Sequence, residues 1–144
     1  MQSYPPSILV DAGPLIALYR QRDTHHHRAL EFAAACTSDL FTTWPVLTEA
    51  AHFLNERGRL ALLAGLERGA YTVIELGLAD VPRMSQILAK YPGADLADAS
   101  LIIAAERLGV TDLATLDRTD FSIYRTRTGR AFDAIVRSSP VSES

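Results

Sequence analysis

Four carboxylates, Asp11, Glu49, Asp98 and Asp117, carry little meaning singly and considerably more together. Asp11 closes the apolar run Ile8–Val10, and Asp117 closes Leu113–Leu116, so each falls directly after a predicted strand. In an open parallel sheet, ligands collect outside the carboxyl ends of the strands. Either aspartate alone is as well explained as a turn or helix cap; two at the same edge point to a site. Glu49 belongs to a predicted helix whose Val46, Leu47, Ala50, Phe53 and Leu54 share one apolar face. It borders that face beside Phe53, a position that also suits a solvated glutamate whose stem covers the core. Asp95 and Asp98 open a predicted helix, Asp95–Leu108. Asp95 suits the N-cap, and Asp98 suits a first-turn acid favoured by the helix dipole. The rest of that helix is apolar nearly all round, however, and an acid entering the interior needs a partner or a metal. Oxygen-only clusters select hard cations, Mg²⁺ or Mn²⁺. A pair of such ions about 3.5–4 Å apart clamps the attacking and leaving oxygens of a phosphodiester. Bound cations would also let four like charges stay ionised side by side.

These acids need a frame, and the chain supplies one of α/β class. Ser7–Asp11 reads as a buried strand ended by Gly13-Pro14, after which Leu15–Arg20 opens a helix. Thr24 is a candidate cap for a second helix running to about Cys36. Leu40–Thr43 is a short β-prone stretch. Pro45 suits a helix first turn, predicting a helix to about Arg57 that Gly58 stops, with a further turn or two over Leu60–Glu67 ended by Gly69. Tyr71–Leu76 is a predicted strand. Leu78–Tyr91 is amphipathic through Val81, Met84, Ile87 and Leu88, and Pro92-Gly93 ends it. After the Asp95–Leu108 helix and Gly109 come predicted strands at Asp112–Leu116 and Ala131–Val136. Strands alternating with helices predict one domain, residues 1–137, with a parallel sheet of four to five strands flanked by helices. Residues 138–144, small and polar, read as a flexible C-terminal tail.

The order of these segments resembles the PIN domain. ILVD at the start, LTEAAHFL in the middle, and DLADASLIIAAERLG followed by LATLDRTDF carry the likeness, which runs from about Ile8 to Val136. The likeness is greatest to the VapC-type ribonuclease toxins of bacterial toxin–antitoxin pairs. The resemblance implies that Asp11, Glu49, Asp98 and Asp117 are catalytic, metal-holding acids. Asp120 occupies a place where the family often has a further acid, and Asp95 is an extra acid carried by some subgroups. It implies Mg²⁺- or Mn²⁺-dependent hydrolysis of RNA, often a structured RNA such as a transfer RNA. Glu49 or Asp98 could orient the attacking water. It further implies a cognate antitoxin and a homodimer. One departure is Gly13, where many members place Ser or Thr two residues after the first aspartate; Thr115 keeps the hydroxyl before the fourth acid. The alternative is a non-catalytic PIN-like module that binds RNA or a partner, but an anionic pit facing phosphate would bring such a module no benefit. A haloacid-dehalogenase-like phosphatase would need an acid at position 13. A phosphoacceptor receiver domain would need a lysine after a late strand, whereas Lys90 precedes Pro92 on a helix.

Composition narrows the remaining classes. The longest apolar runs reach five residues, against roughly 20 for a bilayer span, so no membrane association is expected. Met1–Ser7 lacks a basic segment leading into an apolar one, so no signal peptide is expected. The single cysteine, Cys36, excludes an internal disulfide and a multi-cysteine zinc site, and fits the cytoplasm. Cys36 reads as a small buried hydrophobe, and Trp44, before Pro45, as a core plug. His25-His26-His27 reads as a solvated helix start, because consecutive helical residues point about 100° apart and cannot share one ion. Arg118, Arg125, Arg127 and Arg130, interleaved with Phe121 and Tyr124, form a candidate RNA-binding strip or a solvated edge. The net charge of −3 argues against nucleic acid at first sight. Setting aside the four candidate acids turns it to +1, so the acidity is local and the remaining surface bears arginine.

Overall fold

The structure, a computed structural model, describes residues 4–116 and 121–135. Five parallel strands, β1 (Ser7–Val10), β2 (Asp39–Thr42), β3 (Thr72–Val73), β4 (Asp112–Ala114) and β5 (Asp133–Ala134), form one sheet in the order β3-β2-β1-β4-β5. The apolar run of β1 follows from its place at the centre. Ile8, Leu9 and Val10 are buried, paired on one side with β2 and on the other with β4. Helices α1 (Ala12–Tyr19), α2 (His26–Ala35), α3 (Trp44–His52), α4 (Glu56–Glu67), α5 (Val81–Lys90) and α6 (Leu96–Leu108) connect and cover the strands. The α/β class and parallel sheet expected from the sequence are therefore observed. Residues 136–144, including the expected tail and the end of the last predicted strand, lie outside the described residues.

Helix α6 organises the interior. Ala97 and Ala99–Ala105 are buried, which explains why no polar stripe runs along it. It packs on α3, α5 and β1. Asp95 caps its start, and Gly109, at φ 69° just past its end, supplies the left-handed residue that terminates it.

Several local expectations are corrected. Helix α1 starts at Ala12, so Gly13-Pro14 ends the strand by opening the helix and not by making a separate turn. Thr24 does not cap α2, which begins at His26 with no side-chain cap; Asp23 instead accepts from the His25 N–H (2.8 Å). Gly58 does not stop a helix. The break falls at Asn55, whose Oδ1 accepts from the Gly58 N–H (2.8 Å), and Gly58 lies inside α4. A Cβ there would come within 3.0 Å of the Tyr19 carbonyl and 3.2 Å of the Leu54 Cβ, so glycine is present for close packing of α4 on the α1 terminus. Trp44 is not a core plug: it is 48% exposed at the start of α3. Of the three histidines only His27 is fully solvated, paired with Glu31, whereas the His26 Nδ1 lies 2.6 Å from the Ala17 carbonyl and ties α2 to α1. Cys36 is half-buried.

Candidate active site

Asp11 emerges at the carboxyl edge of β1, the central strand. Its N–H donates to the Ala114 carbonyl (3.0 Å), its Oδ1 accepts from the Ala12 N–H (2.8 Å), and its Oδ2 accepts from the Thr115 hydroxyl (3.0 Å). The carboxylate therefore caps α1 and is held from β4 as well, so capping and site geometry coexist in one residue. Beside it, a set of buried hydroxyls joins the strand ends to α6. Thr42 donates to the Val10 carbonyl (3.0 Å), Ser100 donates to the Ala97 carbonyl (2.7 Å), and the Thr43 and Ser100 hydroxyls lie 2.6 Å apart. Since the Ser100 proton goes to Ala97, Thr43 donates to Ser100. These satisfied polar contacts fix the first turn of α6 over the carboxyl edge, near the end of β2.

That first turn presents Asp95 and Asp98 in a reciprocal cap. The Asp95 Oδ1 accepts from the Asp98 N–H (2.8 Å), and the Asp98 Oδ2 accepts from the Asp95 N–H (3.2 Å). The Tyr124 hydroxyl donates to the same Asp98 Oδ2 (3.0 Å). Burial pushes the Asp98 carboxyl up to about 6, with the charges of Asp95 and Asp11 adding to the rise; the hydrogen bonds from Asp95 and Tyr124 oppose it. Glu49, exposed on α3, is also raised from its ordinary value, first by partial burial and then by the charges of Asp95 and Asp98. The charges of Asp95 and Asp98 thus act on Glu49, and those of Asp95 and Asp11 act on Asp98. Among the described residues Glu49, Asp95 and Asp98 form no ion pair.

Hard oxygen donors that repel one another fit a divalent cation, and Asp11, Glu49 and Asp98 are the residues here that could hold one. Among the described residues, no three acids converge closely enough to form a finished cage by themselves. Asp117, the fourth expected acid, and Asp120 and Arg118 lie outside the described residues.

The remaining arginines of the expected strip do not share one role. The Arg125 guanidinium donates to the Ser122 and Tyr124 carbonyls (2.9 and 2.8 Å), bracing its own segment. Arg130 donates to the Gly109 carbonyl (3.2 Å) and the Thr111 hydroxyl (3.1 Å), at the amino end of β4 and so at the opposite edge from Asp11. Arg127 is exposed and enters a cleft of about 430 Å³ with Arg83, Arg107 and Arg130, where Glu106 and Asp80 pair with Arg83 and Arg107. Glu106 also accepts from the Arg127 N–H (2.7 Å), and it lies about 12 Å along α6 from Asp98 at 1.5 Å per residue.

Sequence reasoning missed Tyr124 as a partner of Asp98 and the Thr43–Ser100 pair as the brace beneath the site. Tyr124 was noticeable only as an aromatic among arginines; its contact spans 26 residues and leaves no local pattern.

Comparison with known proteins follows the same lines. The model of the PIN domain matches residues 8–127, and the chain belongs to that family. Within it, the chain is 26% identical over 134 residues to Ribonuclease VapC26 of Mycobacterium tuberculosis, covering 89% of this chain and 99% of that protein. Its fold is similar to that of the crystal structure of M. tuberculosis VapC20, a toxin that cleaves the sarcin-ricin loop. The TM-score is 0.70 at 20% identity, over 78% of this chain and 92% of the other.

Proposed function

We propose that this chain is a divalent-metal-dependent endoribonuclease of VapC type, the toxin of a toxin–antitoxin pair, acting in the cytoplasm on a structured RNA such as a transfer RNA. The observation that carries this reading is the gathering of acids from β1, α3 and α6 at one sheet edge with like-charge coupling. The relative VapC26, named a ribonuclease, supports RNA as the substrate.

Asp11, Glu49, Asp98 and Asp117 would hold Mg²⁺ or Mn²⁺, with Asp95 and Asp120 at the margin. The bound cation would acidify water and stabilise charge on the phosphate as it is attacked in line. The protein's own part is to hold these acids still. Asp11 and Asp98 are fixed by hydrogen bonds, whereas Glu49 has none among the described residues and is the acid best able to turn toward the water. Arg118, next to the fourth acid in sequence, would meet the RNA backbone close to the site, and Arg127, exposed beside the far end of α6, would meet it further away.

A second partner fits a groove of about 720 Å³ between α1, α2 and α4. Leu18, Leu30 and Phe53 give it apolar walls, Arg20, Arg22 and Arg57 line it as well, and no acid does so among the described residues. Such a lining would suit an acidic amphipathic segment of a cognate antitoxin. Leu60 and Leu63, exposed on α4, suit a homodimer contact. No helix among the described residues is long and apolar enough to cross a membrane.

The test is digestion of total RNA by the purified protein with Mg²⁺ or Mn²⁺, with the new ends sequenced. Discrete cleavage that stops in EDTA is expected. No cleavage contradicts the proposal and favours a binding module, whereas equal cleavage in EDTA contradicts the metal dependence.

A further inference from the structure

We propose that Tyr124 is the positioning residue of the acid site, its hydroxyl turning the Asp98 carboxylate so that Oδ2 is engaged inside the protein and Oδ1 is presented to a cation. The inference rests on the metal-dependent reading above and adds to it a residue outside the four acids.

Asp98 Oδ2 accepts twice, from the Asp95 N–H at 3.2 Å and from the Tyr124 O–H at 3.0 Å, whereas Oδ1 accepts nothing among the described residues. The Asp95 contact alone is at the long end for an N–H···O bond, and the carboxylate torsion is broad and roughly two-fold. Without a second donor, either oxygen could turn outward. Tyr124 removes that freedom.

The hydroxyl is placed by packing and not by Asp98 itself. The ring is buried, 5.0 Å from the Tyr91 ring and 5.0 Å from the Phe121 ring, both edge-on. The backbone beside it is pinned in turn, because the Arg125 N–H donates to the Tyr91 hydroxyl (3.1 Å). Two residues further on, the Arg127 N–H bonds Glu106 of α6. The 121–127 segment is thus clamped along the same helix that carries Asp98. Partners of this kind, which orient a metal-holding carboxylate from behind, typically carry 10–100-fold in metal affinity.

Mn²⁺ titration of the full chain by calorimetry tests the inference, comparing wild type, Tyr124→Phe and Tyr91→Phe. Tyr124→Phe keeps the ring and removes only the donor, so its Mn²⁺ Kd should rise about tenfold. The Mn²⁺ concentration for half-maximal RNA cleavage should rise by the same factor, with the rate at saturating Mn²⁺ largely recovered. Tyr91→Phe loosens the segment without touching an acid, and its Kd should stay within about twofold of wild type, well below the loss expected from an orienting partner. Unchanged Mn²⁺ binding by Tyr124→Phe overturns the inference while leaving the metal site standing. Equal weakening in both variants, or weakening matched by a collapse of the melting transition in EDTA, also overturns it, since the effect would then be general loosening. A wild-type protein that binds no Mn²⁺ overturns the metal site and the inference together.

Discussion

Asp98→Asn should make the metal-free protein more stable at neutral pH while removing its activity. The substitution can keep an amide oxygen where Oδ2 stands, accepting from both the Asp95 N–H and the Tyr124 hydroxyl, so the cap survives. What changes is charge. Burial and neighbouring acids raise the Asp98 pKa from 3.8 to about 6, roughly two units at about 1.4 kcal/mol each. That gives about 3 kcal/mol before screening; the group is only half-buried, and solvent reduces it to about 1–2 kcal/mol. The sign follows from proton binding. The folded protein holds this proton more tightly than the unfolded chain, so ionisation costs the fold nothing below about pH 4 and its full amount above about pH 6. Melts in EDTA across pH 4–8 should show the variant and wild type converging at pH 4. At pH 8 the variant should melt about 4 °C higher, given a few degrees per kcal/mol for a chain of this size. Mg²⁺ should then stabilise wild type and leave the variant nearly unchanged. A variant less stable than wild type at pH 8, or a difference independent of pH, would refute the reasoning and return Asp98 to a purely structural cap.

Two further substitutions probe the frame. Thr115→Val removes the buried hydroxyl that donates to the Asp11 Oδ2; it should cost about 1–2 kcal/mol in urea unfolding and weaken Mn²⁺ binding measured by calorimetry. Gly58→Ala gains about 1 kcal/mol of helix propensity but drives a Cβ to 3.0 Å from the Tyr19 carbonyl, a backbone atom that cannot rotate aside. Net destabilisation of about 1 kcal/mol is expected from overpacking, read as a lower urea midpoint, and a stabilised variant would show that α1 and α4 can separate freely.

The parts of the fold that were legible in the sequence are those determined by local pattern. The continuous apolar run of β1 reflects burial on both faces, and the apolar surround of α6 reflects its place in the interior. Asp95 as a cap and Asp98 in the first turn could be read from spacing alone. The division between α3 and α4 could not, because Gly58 looks like a stop and its actual role depends on the Tyr19 carbonyl, distant in sequence. Trp44 was misplaced for a related reason: its size and apolarity favour burial, but its position on the first turn of α3 leaves it facing outward. Thr43–Ser100 and Tyr124–Asp98 are tertiary pairs at separations of 57 and 26 residues, and nothing in their immediate neighbours announces them. β3 and β5, each two residues long at the sheet edges, have too little pattern to bound accurately.

The central claim is that the acids at the carboxyl edge of the sheet hold the cation that makes this chain cut RNA. It is tested most directly by single-turnover cleavage of a mapped RNA site over an Mg²⁺ titration, with wild type and Asp11→Asn side by side. Wild type should show saturable dependence on Mg²⁺ and complete loss in EDTA. Asp11→Asn, which keeps the α1 cap, should lose about 10³-fold or more, on the scale of losing one charge-stabilising group, while still binding the RNA. Cleavage by Asp11→Asn at the wild-type rate, or cleavage that persists without divalent cation, would contradict the claim.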